Sequence, residues 1–382
     1  MKNKLIKIVS VSLVAALACS SLTYARNPRF SRSEEEWARL EDDLLEWDEI
    51  DGLADEYNPE ILDNEYAYKN DENRSKNAEE IANSMMRLAD NYEQKAYETE
   101  DTSGLTAASY LSQADSLRSQ AADSVSDSET IRLNYFKANE EVKKSVRTKF
   151  IDYYRAIASR DSHNAQVAYL KSNYESVKNK RAAGTATYLE EISALESYQK
   201  ALISTNTMEA NVRNAYRNLI VSCGWQYYGE PQIGPMPQID VATVMNIDQA
   251  ADLEKCLAQS YTLQIDNILL KNAKQYHADT DVEVKYTRTL NNDTNTVKTK
   301  YQSAYDSLAY AKASYDAEVA SCRVSEQNLE KAKNQLKNGT ISQIEYKAAE
   351  NTVNSSRSAI TSAYYDLVAA RVDYDAVVNG LT

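Results

Sequence analysis

Two glycines, Gly184 and Gly339, interrupt two otherwise helical stretches at matching places, and this duplication limits the fold more than any other feature of the chain. Each is followed by Thr, in NKRAAGTATYLEEISALE and KNQLKNGTISQIEYKAAE. A glycine can turn the chain in the left-handed conformation that a β-branched residue resists. Just past each one stands a restart signal: Thr187 with Glu190 at the first, and at the second Thr340 or Ser342 as cap, with Glu345 three residues beyond Ser342, the spacing of a capping box. Each glycine therefore marks the tip of a hairpin of two long helices.

The arms carry the matching periodicity. After Gly339, Tyr346, Ala349, Val353, Ser356, Ile360, Ala363, Leu367, Ala370, Tyr374 and Val377 alternate 3 and 4 apart. That spacing reads as one long helix wound against neighbours with a left-handed supercoil. Weaker versions run from Tyr301 to Leu336 and from Tyr198 to Ser222. Many of these positions are Ala or Ser, so the apolar stripe is narrow and the polar flanks are broad. Such a helix buries its stripe well only with neighbours on two sides, which favours association over a solitary bundle.

A second echo sets the length of each half. Pro59–Asn64 is matched by Thr262–Asn267, an offset of 203 residues, whereas the glycines are 155 apart. The difference is extra sequence in the first half, mostly from Asn73 to Ser128. The expected layout is an exported leader at 1–25, an acidic amphipathic segment at 26–56, a first helical repeat at 57–223, a linker at 224–246 and a second helical repeat at 247–380. The linker holds three glycines and three prolines, which punctuate helix and sheet alike. It is expected to run along the outside of the helices, pinned by Trp225, Tyr227 and Tyr228. Between Glu34 and Glu65 stand fifteen acidic residues and one basic one, Arg39, yet Trp37, Leu40, Leu44, Trp47, Ile50 and Leu53 keep a helical stripe. This predicts one acidic amphipathic helix with a solvated acidic face.

The leader has Lys2, Lys4 and Lys7, an apolar run from Leu5 to Leu17, and Thr23-Tyr24-Ala25 as cleavage site. Ala16–Cys19 offers a second, lipoprotein-like site that would leave Cys19 lipidated. Cleavage after Ala25 removes three lysines and takes the net charge from −14 to −17. That balance disfavours nucleic acid and anionic lipid. No other stretch is apolar enough to predict a transmembrane helix. The protein is expected in the cell envelope, at an outer membrane only if anchored by Cys19 or by a partner.

Little points to covalent chemistry. His163 and His277 lack Cys or His partners at metal-ligand spacing, Cys223, Cys256 and Cys322 are widely separated, and the eight glycines form no phosphate loop. No catalytic, cofactor or metal residue is assigned, and no enzyme is expected. Twenty-eight tyrosines beside three phenylalanines suit broad, half-exposed helix interfaces; stacking on wall polymer is the other use for them.

The Asn58-Pro59-Glu60-Ile61 start, its echo at Leu263–Asn267, the two Gly-x-x-Ser/Thr tips and the arms ending near Gly380 resemble the TolC family of outer-membrane efflux proteins. The resemblance covers most of residues 34–380. It implies an all-α chain of duplicated antiparallel hairpins that trimerises into a hollow α-barrel. It also implies docking on a periplasmic adaptor (membrane fusion) protein served by an ABC or other inner-membrane exporter. The adaptor would meet the tips at Arg181, Gly184, Thr185 and Thr187, and at Leu336, Gly339, Thr340 and Ser342. Glu190 and Glu345 would be the acidic candidates at the tunnel entrance. The family's second acidic position corresponds to Ala348, and its latch positions to Leu336 and Ile341, so a gate here would be held differently. Family members also place two membrane strands in each half. The corresponding segments here, 73–128 and 276–297, are too polar or too helical to face lipid, so a scaffold without the transmembrane barrel is expected. A non-conducting spacer or wall-associated binding protein is the alternative reading.

Overall fold

The computed structural model describes residues 31–99 and 104–382. The expected leader and Cys19 lie outside the described residues. The described residues are largely helical, in long hairpin-like pairs. Its elements are α1 (Glu34–Leu40), β1 (Leu44–Leu45), a 3-10 turn at Trp47–Glu49, α2 (Ile50–Tyr57), α3 (Pro59–Ser75), α4 (Ala78–Thr99), α5 (Gly104–Ala182), α6 (Tyr188–Ser222), β2 (Gln232–Ile233), α7 (Gln249–Gln259), α8 (Tyr261–Gln275), α9 (Thr280–Lys337) and α10 (Gln343–Val378). At 1.5 Å per residue the 79-residue α5 spans about 120 Å.

Four helices form a wall in the order α6, α5, α10, α9: α6 packs on α5, α5 on α10, and α10 on α9, while α6 and α9 share no extensive contact. The wall therefore ends in two free edges. Its core is concentrated near the base of the two hairpins, here called the waist. Val142, Val146, Phe150, Leu219 and Ile220 join the amino-terminal Trp37, Leu40, Leu45, Ile50 and Leu53 in one cluster. A second cluster joins Val297, Tyr301, Leu308, Leu367, Tyr374 and Val378. Towards the tips burial fades. The last fully buried residue of α5 is Ile151, and α6 has only Ala194 before Leu219.

Beyond the waist the two halves differ. In the second half α8 turns into α9 at Tyr276–Asp279; in the first, α4 and the start of α5 run further before joining. Here the contact is made by alanines at heptad spacing, Ala82, Ala89 and Ala96 on α4 and Ala107, Ala114 and Ala121 on α5, all buried. Side chains this small let two helices approach closely and supply the helix propensity that this Ser-rich stretch otherwise lacks. Both segments that correspond to the family's membrane strands are thus largely helical in the described residues, and the brief alternation of Val282, Val284 and Tyr286 lies on α9.

Three details correct the sequence reading. The acidic amino-terminal stretch is two helices rather than one: after Leu40 the chain extends, and Leu44–Leu45 pairs in parallel with Gln232–Ile233 of the linker. Trp37, Leu40, Ile50 and Leu53 of the stripe still lie in one core with Trp47 packed against it, but the fully buried Leu45 takes the inward place expected of Leu44, which is half-buried. The acidic face is not wholly solvated either. Glu49 and Glu56 are buried, on Arg39 at 2.9 Å and Arg32 at 3.2 Å, and burial raises the Glu49 carboxyl above its ordinary range. Finally, the two halves align one residue differently from the sequence echo. Asn58 caps α3 and Ser260 caps α8, each before a buried residue at the third helical position, Ile61 and Leu263, an offset of 202.

Candidate functional site

The two tips are built alike, bond for bond. At the first, the Gly184 amide donates to Arg181 (2.9 Å) and the Thr185 amide to Lys180 (2.8 Å); at the second, Gly339 donates to Leu336 (3.0 Å) and Thr340 to Gln335 (2.9 Å). Both glycines have positive φ, 75° and 70°. This is the paired 6→1 and 5→2 closure of a helix C-terminus. The hydroxyls of Thr185 and Thr340 each add a bond, at 2.9 Å, to the same carbonyls, Lys180 and Gln335.

The restart is equally duplicated. Thr187 and Ser342 accept from the amides of Glu190 and Glu345, and those glutamates reach back to the amides and hydroxyls of Thr187 and Ser342 at 2.6–2.8 Å. The hydrogen bonds from Thr187 hold Glu190 below the usual carboxylate range, and those from Ser342 do the same for Glu345. Lys180 adds a smaller attraction to both, which places it near both tips at once. The two acidic candidates are thus exposed, ionised and already engaged as cap residues.

Around this shared frame the tips differ. Arg181 pairs with Glu191 and lies 4.9 Å from the Tyr188 ring centroid. Tyr188 and Leu189 are nevertheless 64% and 74% exposed, so the first tip presents an apolar, aromatic surface that is mostly open to solvent. In the second tip Leu336 and Ile341 are half-buried. Lys180 and Glu191 lie just outside the residues that the sequence singles out; the signal for Glu191 was the basic Arg181 ten positions away, legible only once the hairpin turn is known. Between the tips and the waist the α5–α10 seam is polar, with Lys347 on Ser172 (3.0 Å) and Asn351 on Gln166 (2.9 Å).

Among the described residues no group of three His, Cys, Asp or Glu could hold a metal ion, and Cys223, Cys256 and Cys322 are free and buried. His163 faces the Ala201 carbonyl and Thr205, and His277 sits in the α8–α9 turn. No helix of the described residues is long and apolar enough to cross a membrane.

No family model matches the chain, and no curated protein matches it. Solved structures do. A membrane protein from Pseudomonas aeruginosa is 12% identical with a TM-score of 0.61, over 94% of this chain and 97% of that one. CusC, described for its folding and transmembrane channel formation, is 11% identical with a TM-score of 0.56, over 87% and 96%. The Campylobacter jejuni CmeC outer membrane channel is 13% identical with a TM-score of 0.51, over 94% and 90%. At such identities the likeness concerns the fold: this chain shares the helical-hairpin architecture of solved outer-membrane channels, as its resemblance to the TolC family implied.

Proposed function

We propose that the chain assembles as a homotrimer around a central passage and serves as an extracytoplasmic conduit of an efflux or secretion assembly. The observation that carries this reading is the unfinished wall. No residue of α5 beyond Ile151 is fully buried, and of the two edge helices α6 packs extensively only on α5, and α9 only on α10 and the short α7 and α8. Those edge helices expose Ile192, Leu202 and Ile203 on one side and Tyr310 and Val324 on the other. Mating one copy's α6 with the next copy's α9 is a heterologous contact, and such contacts close into rings when the rotation allows. A ring gives every wall helix the two neighbours that its narrow stripe requires.

In this reading the tips dock on an adaptor protein coupled to an ABC or other exporter. Arg181, Gly184, Thr185 and Thr187 would contact it with Leu336, Gly339, Thr340 and Ser342, and Glu190 and Glu345 would face the entrance. The fold shared with solved channels supports the conduit; the exposed Tyr188–Leu189 surface supports a partner at the first tip. The protein would then act in the cell envelope without chemistry of its own. The decisive experiment is the mass of the purified mature protein together with particle images. A trimer with an axial lumen is expected; single molecules at micromolar concentration, or an assembly with a solid interior, would instead support a non-conducting spacer.

A further inference from the structure

The linker between the halves crosses the wall from edge to edge, and the wall helices bond its carbonyls in spatial order. Tyr216 of α6 donates its hydroxyl to Pro231 (2.7 Å), Tyr154 of α5 to Gly234, and Tyr364 of α10 to Pro237 (2.9 Å). Tyr364 also accepts from the Ile239 amide (3.0 Å), and Tyr301 of α9 donates to Gln249 (3.1 Å) at the start of α7. The first three carbonyls are three residues apart. An extended, proline-rich chain rises about 3.1 Å per residue, so consecutive anchor points lie about 9 Å apart. Packed helix axes lie about 8–10 Å apart. The repeat of the linker therefore matches the repeat of the wall.

From this match we infer that residues 231–239 are a ruler, which fixes the lateral spacing of α6, α5 and α10 at the waist through three tyrosine hydroxyls. The linker is well suited to the task. Pro231, Pro235 and Pro237 restrict its backbone, and its other face is held by the pairing of β2 with β1, where the Gln232 and Gly234 amides donate to Asp43 and Leu45. Ile233 and Met236 pack on the first core cluster, Ile239 and Val241 on the second, so one strap ties the two cores together. The tyrosine rings also touch beneath it: Tyr216 and Tyr153 are 5.8 Å apart, Tyr154 and Tyr365 6.3 Å, and Tyr364 and Tyr315 6.2 Å. Ring packing gives cohesion; the hydroxyl bonds give spacing. If the wall closes into the proposed ring, a consequence that rests on that reading, the same spacing sets the bore at the waist, while the sparsely buried tip half stays free to move.

The test separates hydroxyls from rings. Nitroxides at Asn214→Cys on α6 and Ser362→Cys on α10 report one chain's spacing by pulsed electron resonance, with labelled protein diluted into unlabelled. In Tyr154→Phe/Tyr216→Phe/Tyr364→Phe the distance distribution should broaden and shift outward. The Ile239 amide should exchange roughly three- to tenfold faster as its acceptor is lost. A distribution that coincides with the parent's, or an Ile239 amide whose exchange does not change, overturns the ruler. Should the triple variant lose helicity, a single glycine inserted after Gly234 lengthens the strap by about 3 Å without touching a wall helix. An unchanged α6–α10 distance in that variant overturns the proposal equally. Because the distances lie within one chain, they are informative whether or not particles prove to be rings.

Discussion

The tips and the waist both rely on glycines of positive φ, but only the waist adds a steric demand. Around Gly184 and Gly339 a Cβ would meet nothing within 4 Å. At the waist, Gly224 and Gly380 have φ of 95° and 99°, and there a Cβ would fall 2.1 Å from the Tyr57 Cβ and 2.0 Å from the Gln259 carbonyl oxygen. Tyr57 and Gln259 precede the caps Asn58 and Ser260, so the waist pair is a duplication in its own right: each closes a hairpin against the end of a short helix, α2 or α7, that precedes the cap. Hydrogen bonds complete these joints, from the Asn58 side chain to the Ser222 carbonyl (2.7 Å) and from the Tyr261 amide to the Gly380 carbonyl (3.2 Å). At the tips glycine serves conformation alone, whereas at the waist it also serves packing.

That contrast predicts the largest effect. Gly224→Ala and Gly380→Ala each combine a left-handed alanine with overpacking against groups that cannot withdraw, so each should cost about 3 kcal/mol or more. Gly184→Ala and Gly339→Ala should cost about 1 kcal/mol, from conformation only. Denaturant unfolding of the four variants measures both. Equal losses at tip and waist would break the comparison.

Acid should also divide interior from tips. Asp266, on α8, is buried, and burial, reinforced by the charge of Asp293 and a hydrogen bond shared with it, raises its pKa to about 6. A raised carboxyl means that the folded protein holds a proton the unfolded chain has released. Its contribution is therefore present below about pH 4 and is lost as pH rises through about 6. Asp266→Asn should flatten this dependence and stabilise the protein at pH 7–8 by about 1–2 kcal/mol. Glu190 and Glu345 are held low, and their contribution runs the other way, present at neutral pH and lost on acidification. Melting temperatures from pH 4 to 8, parent against variant, decide this; an unchanged pH slope in Asp266→Asn would refute the assignment.

How much of this was legible follows the same division. The tips were readable because a local code writes them: glycine, then Ser or Thr, then Glu three residues on, with every bond made within ten residues. Hence both caps and both turns stand where the sequence places them. The waist depends on partners far away in the chain. Nothing near Leu44 announces its pairing with Gln232, 188 positions on, and so a continuous helical stripe was read where the chain breaks into helix, strand and helix. The repeat register differs by one residue for a related reason: the segments 59–64 and 262–267 match through their Asp-Asn ends, but the aligned features are the caps Asn58 and Ser260, which differ in kind. Trp225 is buried at the waist as expected, while Tyr227 and Tyr228 are exposed; the linker is held instead by tyrosines of the wall, whose spacing in sequence carries no sign of it.

The smallest expected effect bears most directly on the proposed docking. Arg181 pairs with Glu191 and lies over Tyr188, yet it is half-exposed and its Coulombic gain is shared with water. Exposed pairs of this kind contribute little, so Arg181→Ala should leave the unfolding midpoint nearly where it was. Tyr188→Ala and Leu189→Ala remove surface that is already mostly in solvent, and they should be equally mild. Because these exposed side chains do not hold the fold, a loss of binding in these variants can be told from a loss of structure. The exposed aromatic of the first tip has no counterpart at the second, where Gln343 stands in the place of Tyr188 and a half-buried Ile344 in that of exposed Leu189. The two tips should therefore contribute unequally. Site-specific photo-cross-linking in native envelopes, from Tyr188 and from Gln343, is expected to capture an adaptor-like partner mainly at Tyr188. Equal capture from both would mean that the duplicated frame is recognised rather than the exposed aromatic. Capture from neither, with the fold intact, would leave the tips without a partner and shift the balance towards the spacer.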